Sequence, residues 1–279
     1  MEYYDELCAN PDVTVTEASG AQIYYAEMNM TDPILSDINV RKAIIKGMSR
    51  DNLSAYMDET LTPAYSLILS KCLNYSDDAV NYYKENYDYD PDEANRLLDE
   101  AGWKDSDGDG IREKDGTKLS FTFDDRDTES AKAIGQSLQI DMKAIGIDMQ
   151  ITTQDWSYVN QDVNDGNFQM AYLGLGWSEP FLLLDMFCQR NAEATNPDPD
   201  GQAELVAEAR KIVDFEDRTA AITEIQKKIM DYCTLLPFAD STSYRVWRSE
   251  INGIKYTDNG GFWLNDVVTD ANGNFRNVG

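Results

Sequence analysis

Asp105-Ser106-Asp107-Gly108-Asp109-Gly110 sets three carboxylates at alternate positions and closes on a glycine. Three such oxygens can point at one centre, and the glycine permits the sharp turn that starts a calcium loop. The backbone carbonyl of Ile111 and the side chains of Glu113 and Asp115 extend the candidate ligand set for Ca2+. Gly116 stands at the twelfth position, where an EF-hand places a bidentate glutamate, and a strand pattern follows in place of a helix. The alternative is a polar turn whose aspartates accept local N–H groups. On either reading the loop is structural and is not a solute site.

The chain has no histidine in its 279 residues. That removes Ser-His-Asp and Cys-His mechanisms and any imidazole metal ligand. Cys8, Cys72, Cys188 and Cys233 form no C-x-x-C pair, which excludes a zinc ribbon or a thioredoxin-type site. Buried thiols, or one or two bridges in an exported protein, both remain open. The 51 acidic and 24 basic residues give a net charge of −27, which repels nucleic acid and anionic membranes. Chance carboxylate pairs abound at this composition, so an acid–base glycosidase reading has no motif to select its residues. Arg126 lies within Asp124-Asp125-Arg126-Asp127, between a strand and a helix N-terminus. A guanidinium there suits a carboxylate, although the flanking aspartates compete for it as in a surface ion pair.

The elements around these residues carry their own punctuation. Asp90 is an expected N-cap, with Pro91 at the first helical position and Glu93 placed for a capping box. Ala94, Leu97, Leu98 and Ala101 form one helical stripe, and Gly102 ends it. Leu119, Phe121 and Phe123 alternate as a strand. Ala131, Ile134, Leu138, Met142 and Ile145 predict a helix over 127–145, stopped by Gly146, and Ile147, Met149 and Ile151 the next strand. Asp155 is expected to cap a short helix bearing Trp156. Residues 168–173 read as a strand running into Gly174-Leu175-Gly176-Trp177. Upstream, residues 2–9 read as a helix end and residues 13–16 and 23–30 as strands. Ser36 and Asp51 are the expected caps of two helices, and residues 60–89, with six tyrosines, read as a long ordered loop. Downstream, 191–201 is an expected surface loop, followed by helices at 202–214 and 217–232. A long strand over 235–247 is expected to break at Pro237. Strands alternating with helices imply an α/β fold, a mixed sheet with helices on both faces. The opening residues EYYDELCANPD read as the middle of a longer protein, with no export signal.

VRKAIIKGMSRDNL (40–53), YDPDEANRLLDEAGWKDSDGDGIREKDGTKLSF (89–121), IGIDMQITTQDWSYV (145–159), FQMAYLGLGW (168–177) and IQKKIMDYCTLLPF (225–238) resemble, in order, the extracellular solute-binding proteins of peptide and nickel ABC transporters, family 5. The resemblance implies a type II periplasmic-binding-protein lobe, with 1–279 as the C-terminal lobe of a two-lobed protein. Residues 31–234 would be the lobe core, and 1–30 and 235–279 would hold the hinge-crossing strands and a remnant of the first lobe. It implies a monomeric, non-enzymatic binder of peptide or another small solute, partnered by a membrane permease, extracellular or periplasmic and lipoprotein-anchored at full length. In that family the Gly-Trp corresponding to Gly176-Trp177 lies on the cleft, Glu179 stands near where an acidic residue receives a peptide's amino terminus, and the loop of Arg126 carries an arginine that clamps the ligand carboxylate. Trp156 and Asn29 also match family positions. The competing class is a calcium-stabilised extracellular interaction module.

Overall fold

The computed structural model describes residues 3–18, 22–57, 61–177, 179–189, 201–256, 262–264, 267–269 and 275–276. The first elements are α1 (Tyr4–Ala9), β1 (Val13–Ala18), β2 (Ile23–Met28), α2 (Ile38–Gly47), α3 (Arg50–Ser54), β3 (Leu61–Pro63) and α4 (Asp77–Tyr87). The middle of the chain forms α5 (Pro91–Glu100), the hairpin β4 (Glu113–Lys114) and β5 (Thr117–Lys118), β6 (Ser120–Arg126), α6 (Glu129–Ala144), β7 (Asp148–Gln154), α7 (Trp156–Asp165) and β8 (Met170–Leu175). Then follow α8 (Pro180–Gln189), α9 (Gln202–Ala209), α10 (Phe215–Asp231), β9 (Leu235–Ser241) and β10 (Ser243–Arg248). Four two-residue strands close the chain, β11 (Lys255–Tyr256), β12 (Phe262–Trp263), β13 (Val268–Thr269) and β14 (Phe275–Arg276).

One mixed sheet of order β3-β9-β2-β8-β6-β7 organises the core. β6 runs parallel to β7 and β8, and β2 runs antiparallel to both β8 and β9. The carboxyl ends of β6, β7, β8 and β9 therefore meet at one end of the sheet, beside the start of β2. Alternation along β6 sends Phe123 and Asp125 to the face covered by α6, where a Cβ on Gly135 would come within 2.5 Å of the Asp125 carboxylate. A side chain at 135 would have to displace that carboxylate. Asp124 faces the other way, towards Asp162 of α7. Helices thus cover both faces, and the expected fold class holds. Beyond Ser241 the chain leaves this sheet: β10 pairs with β1 in a separate antiparallel ribbon, Ala18 opposite Ser243.

The central segment folds as its punctuation implies. Asp90 accepts the Glu93 N–H at 3.0 Å, Gly102 sits at φ +88°, and the Trp103 N–H returns to the Leu98 carbonyl at 2.9 Å. The capping box is not completed, because the Asp90 N–H goes to Lys46 and Glu93 pairs with Arg96. Asp37 caps α2 in place of Ser36, which instead donates to the Pro33 carbonyl. Ser49 caps α3 in place of Asp51. The expected loop over 60–89 contains β3 and α4; Ala79, Tyr83 and Tyr87 bury one face of that helix. β9 passes through Pro237 on a bulge and breaks only at Thr242. The α8 helix has no counterpart in the expected elements, and the expected loop over 191–200 lies outside the described residues.

Candidate functional site

At the carboxyl ends of β6, β8 and β9 lies a cavity of about 430 Å³. Its wall holds Tyr24, Tyr172 and Tyr244, the guanidiniums of Arg126 and Arg245, and the hydroxyls of Thr128, Ser130, Ser241 and Thr242. No carboxylate lines it among the described residues. Thr128 is the cap of α6, accepting the Ala131 N–H, so the positive end of a 16-residue helix opens beside the cavity. β6 and β7 deliver Arg126 and Trp156 to this end because each strand hands over to its helix there.

Arg126 lies 4.6 Å above the Trp156 ring, with the rings of Tyr172 and Tyr24 at 5.9 and 6.0 Å. Its Nε is buried without a hydrogen-bond partner, and it makes no ion pair among the described residues. The surface ion pair expected from its aspartate neighbours is therefore not formed. The reason is strand alternation: Asp125 turns inward, fully buried, and Asp127 pairs with Lys132. Burial pushes the Asp125 carboxyl up to about 6, against the lowering effect of the Arg126 N–H, the Arg126 guanidinium and Lys132. Burial and Asp162 do the same for Asp124.

Trp177 stands two residues past β8 at this same end of the sheet, 40% exposed, and its carbonyl accepts the Cys72 thiol at 3.0 Å. Gly174 does not leave open space for a solute: the Tyr24 ring fills it, at 2.7 Å from where a Cβ would lie. Glu179 accepts the Leu182 N–H at 3.0 Å, which ties its carboxylate to the first turn of α8. Asn29 lies at the opposite end of β2. It is 3% exposed and donates to the carbonyls of Gly166 and Phe168 while accepting from the N–H and hydroxyl of Thr31. The polar atoms of Asn29 are thus spent on the chain itself, the arrangement of a structural hydrogen-bonding residue rather than a ligand contact. Arg126 and Trp156 are brought together with Tyr24 and Tyr172; Glu179 is held by local backbone, and Asn29 by Thr31 and the distant carbonyls of Gly166 and Phe168.

The acidic loop lies away from the cavity, at the sheet end where Leu119 bonds to Arg112. The carboxylates of Asp105, Asp107 and Asp109 have oxygens within 4.8 Å of one another and are exposed. Asp105 accepts the N–H groups of Gly108 and Gly110, Asp107 that of Asp109, and Asp109 that of Ile111. Lys118 is bonded to Asp109 and lies 3.8 Å from Asp107. Glu113 turns to Ser106, and Asp115 takes the left-handed position of the β4–β5 turn at φ +52°. The turn thus meets its acceptors with its own N–H groups and one ammonium. All four cysteines are free thiols, Cys8 exposed and the others buried, so no bridge forms. The sequence reading missed Tyr24, Tyr172, Tyr244 and Arg245. Tyr24 and Tyr172 fall in its strands, and the alternation of those strands places them together on one face.

The family model described as bacterial extracellular solute-binding proteins, family 5 middle, matches residues 2–194. The oligopeptide-binding protein AppA of Bacillus subtilis is 30% identical over 166 residues, 59% of this chain and 30% of that protein. The dipeptide-binding protein of Escherichia coli is 24% identical over 260 residues, 86% of this chain and 44% of that protein. The chain therefore spans less than half the length of these relatives. Among solved structures, HbpA2 from Haemophilus parasuis superposes with a TM-score of 0.78 at 19% identity, over 96% of this chain and 52% of that one. AppA from Bacillus subtilis in complex with a nonapeptide gives 0.74 at 22% identity, over 95% and 53%.

Proposed function

Because the chain belongs to family 5 of the bacterial extracellular solute-binding proteins, we propose that it binds a peptide in the cavity at the carboxyl ends of its sheet, for uptake by an ABC transporter. It then supplies one lobe of a two-lobed protein, the β1–β2 and β9–β10 segments being the strands that cross the hinge. Closure of two lobes around a solute is a hinge motion driven by binding, with no bond made or broken. Relatives named for oligopeptides and dipeptides support the solute class. In this reading the partners are a peptide and a membrane permease, and the working protein is a membrane-anchored extracellular monomer.

The observation that carries this reading is Arg126, a guanidinium stacked on Trp156 that, among the described residues, has no ion pair and faces a cavity with no carboxylate in its wall. Such a group suits a peptide's terminal carboxylate through paired N–H donors, while the tyrosines offer apolar faces and hydroxyls. A site enclosed from one side only leaves much of its ligand in water, so this chain by itself is expected to bind weakly. Backbone NMR of the chain titrated with a tripeptide tests the site. Shift changes centred on Tyr24, Arg126, Tyr172 and Tyr244 support it. Changes elsewhere, with these residues unmoved, would refute it.

A further inference from the structure

We infer that Arg126 and Arg245 together clamp a solute end that carries two negative charges, two carboxylates on one short stem. This rests on the reading above, that the cavity binds solute. Both guanidiniums line the one cavity, and neither has an ion-pair partner among the described residues. The chain holds 51 acidic residues against 24 basic ones, so carboxylates for two arginines are plentiful; yet the lining supplies none among the described residues. Among the described residues the Arg245 side chain donates to the carbonyl of Tyr244, at 3.2 Å, and the Nε of Arg126 has no acceptor. The other polar side chains of the wall are neutral, the hydroxyls of Thr128, Ser130, Ser241 and Thr242 and those of the three tyrosines, and the N-terminus of α6 adds positive potential beside Thr128.

One guanidinium satisfies one carboxylate through a two-pronged pair. A single terminal carboxylate would leave the second arginine without a counter-charge in a half-enclosed space, whereas a dianion matches both. The positions also matter. Arg126 ends β6 in the six-stranded sheet, while Arg245 lies on β10, past the break at Thr242 where the chain leaves that sheet. A dianion held by both ties the sheet to the crossing ribbon. Selection must be local, because a net charge of −27 repels an approaching dianion at long range.

Two sources offer this chemistry, a peptide ending in Glu or Asp and a free dicarboxylic acid. The test is an NMR titration of the 279-residue chain with Ala-Ala-Glu, Ala-Ala-Gln and glutarate, on wild type, Arg245→Gln and Arg245→Lys. In wild type, Ala-Ala-Glu should bind about tenfold tighter than Ala-Ala-Gln, whose side chain is neutral, the order expected for one added charge-assisted pair. Arg245→Gln should remove that preference, weakening Ala-Ala-Glu by about tenfold and Ala-Ala-Gln by much less, and Arg245→Lys should keep part of it. Glutarate binding as tightly as Ala-Ala-Glu supports the clamp with a free dicarboxylate as its ligand; weaker glutarate binding supports it with a peptide end. Equal wild-type affinities for the two peptides, or equal losses for both in Arg245→Gln, overturn the clamp and leave peptide binding standing. If no ligand moves the resonances of the cavity, the binding reading fails and the clamp with it.

Discussion

Replacing Asp125 by asparagine should stabilise the protein at neutral pH, and the gain should vanish in acid. Asp125 is fully buried and one of its oxygens, facing Gly135, has no hydrogen-bond partner. Burial raises its carboxyl from the ordinary 3.8 to about 6. A carboxyl raised on folding binds its proton more tightly in the native state. Its contribution to stability is therefore full below about 3.8 and is lost as pH rises through about 6. The difference amounts to about 3 kcal/mol at ~1.4 kcal/mol per pKa unit. Asparagine removes the charge and keeps the acceptor for the Arg126 N–H, but it leaves an amide N–H₂ against Gly135, at a cost of about 1 kcal/mol or more. The net gain expected at pH 7 is thus about 1–2 kcal/mol. Urea unfolding of both proteins from pH 4.5 to 7.5 measures it. The stability difference should grow across pH 4.5–6 and level off above 6.5. Asp124, also raised to about 6, contributes the same slope to both proteins and drops out of the difference. A difference independent of pH, or a less stable variant at pH 7, would refute the reasoning.

Trp177→Ala should weaken solute binding while costing about 1 kcal/mol of stability or less, since the side chain is 40% exposed. A loss of several kcal/mol with affinity intact, the mark of an emptied core site, would make it a packing residue. Asn29→Ala should do the reverse, costing about 2–4 kcal/mol in a melting or urea experiment because its bonds to Gly166, Phe168 and Thr31 are lost in the interior, with solute affinity unchanged. In the acidic turn Lys118 holds Asp109 and lies 3.8 Å from Asp107, two of the three carboxylates that a calcium ion would take. Calcium should therefore raise the Tm of Lys118→Ala more than that of wild type, and equal responses would show that the lysine does not compete.

The elements with strong punctuation were legible in the sequence. Asp90, Pro91 and Gly102 bound α5, and the stripe from Ala131 to Ile145 marks α6, because local caps and periodicity decide both. The α4 helix was not legible: its buried stripe is Ala79, Tyr83 and Tyr87, and tyrosine is a weak helix former that tertiary packing overrides. The Ser36 and Asp51 caps were misplaced by one and two positions because Ser36-Asp37 and Ser49-Arg50-Asp51 each offer two cap formers, and backbone geometry picks between them. At the site, the likeness to family 5 drew attention to Arg126 and Trp156, but nothing in the sequence says that they stack. That requires β6 and β7 to be parallel neighbours, which puts both strand-to-helix junctions at one end of the sheet. Arg245 is brought to the same cavity by β10, which follows β9 directly and pairs with β1 at the far end of the sequence.

The most direct measurement compares one tripeptide with a free and an amidated carboxyl terminus, titrated into the chain and into Arg126→Ala. If Arg126 receives the solute's carboxylate, amidation should weaken binding to the wild type by about tenfold or more, as expected for loss of a charge-assisted pair. Arg126→Ala should bind both forms alike, at the level of the amidated peptide in the wild type. An amidated peptide that binds the wild type as tightly as the free acid would contradict the account.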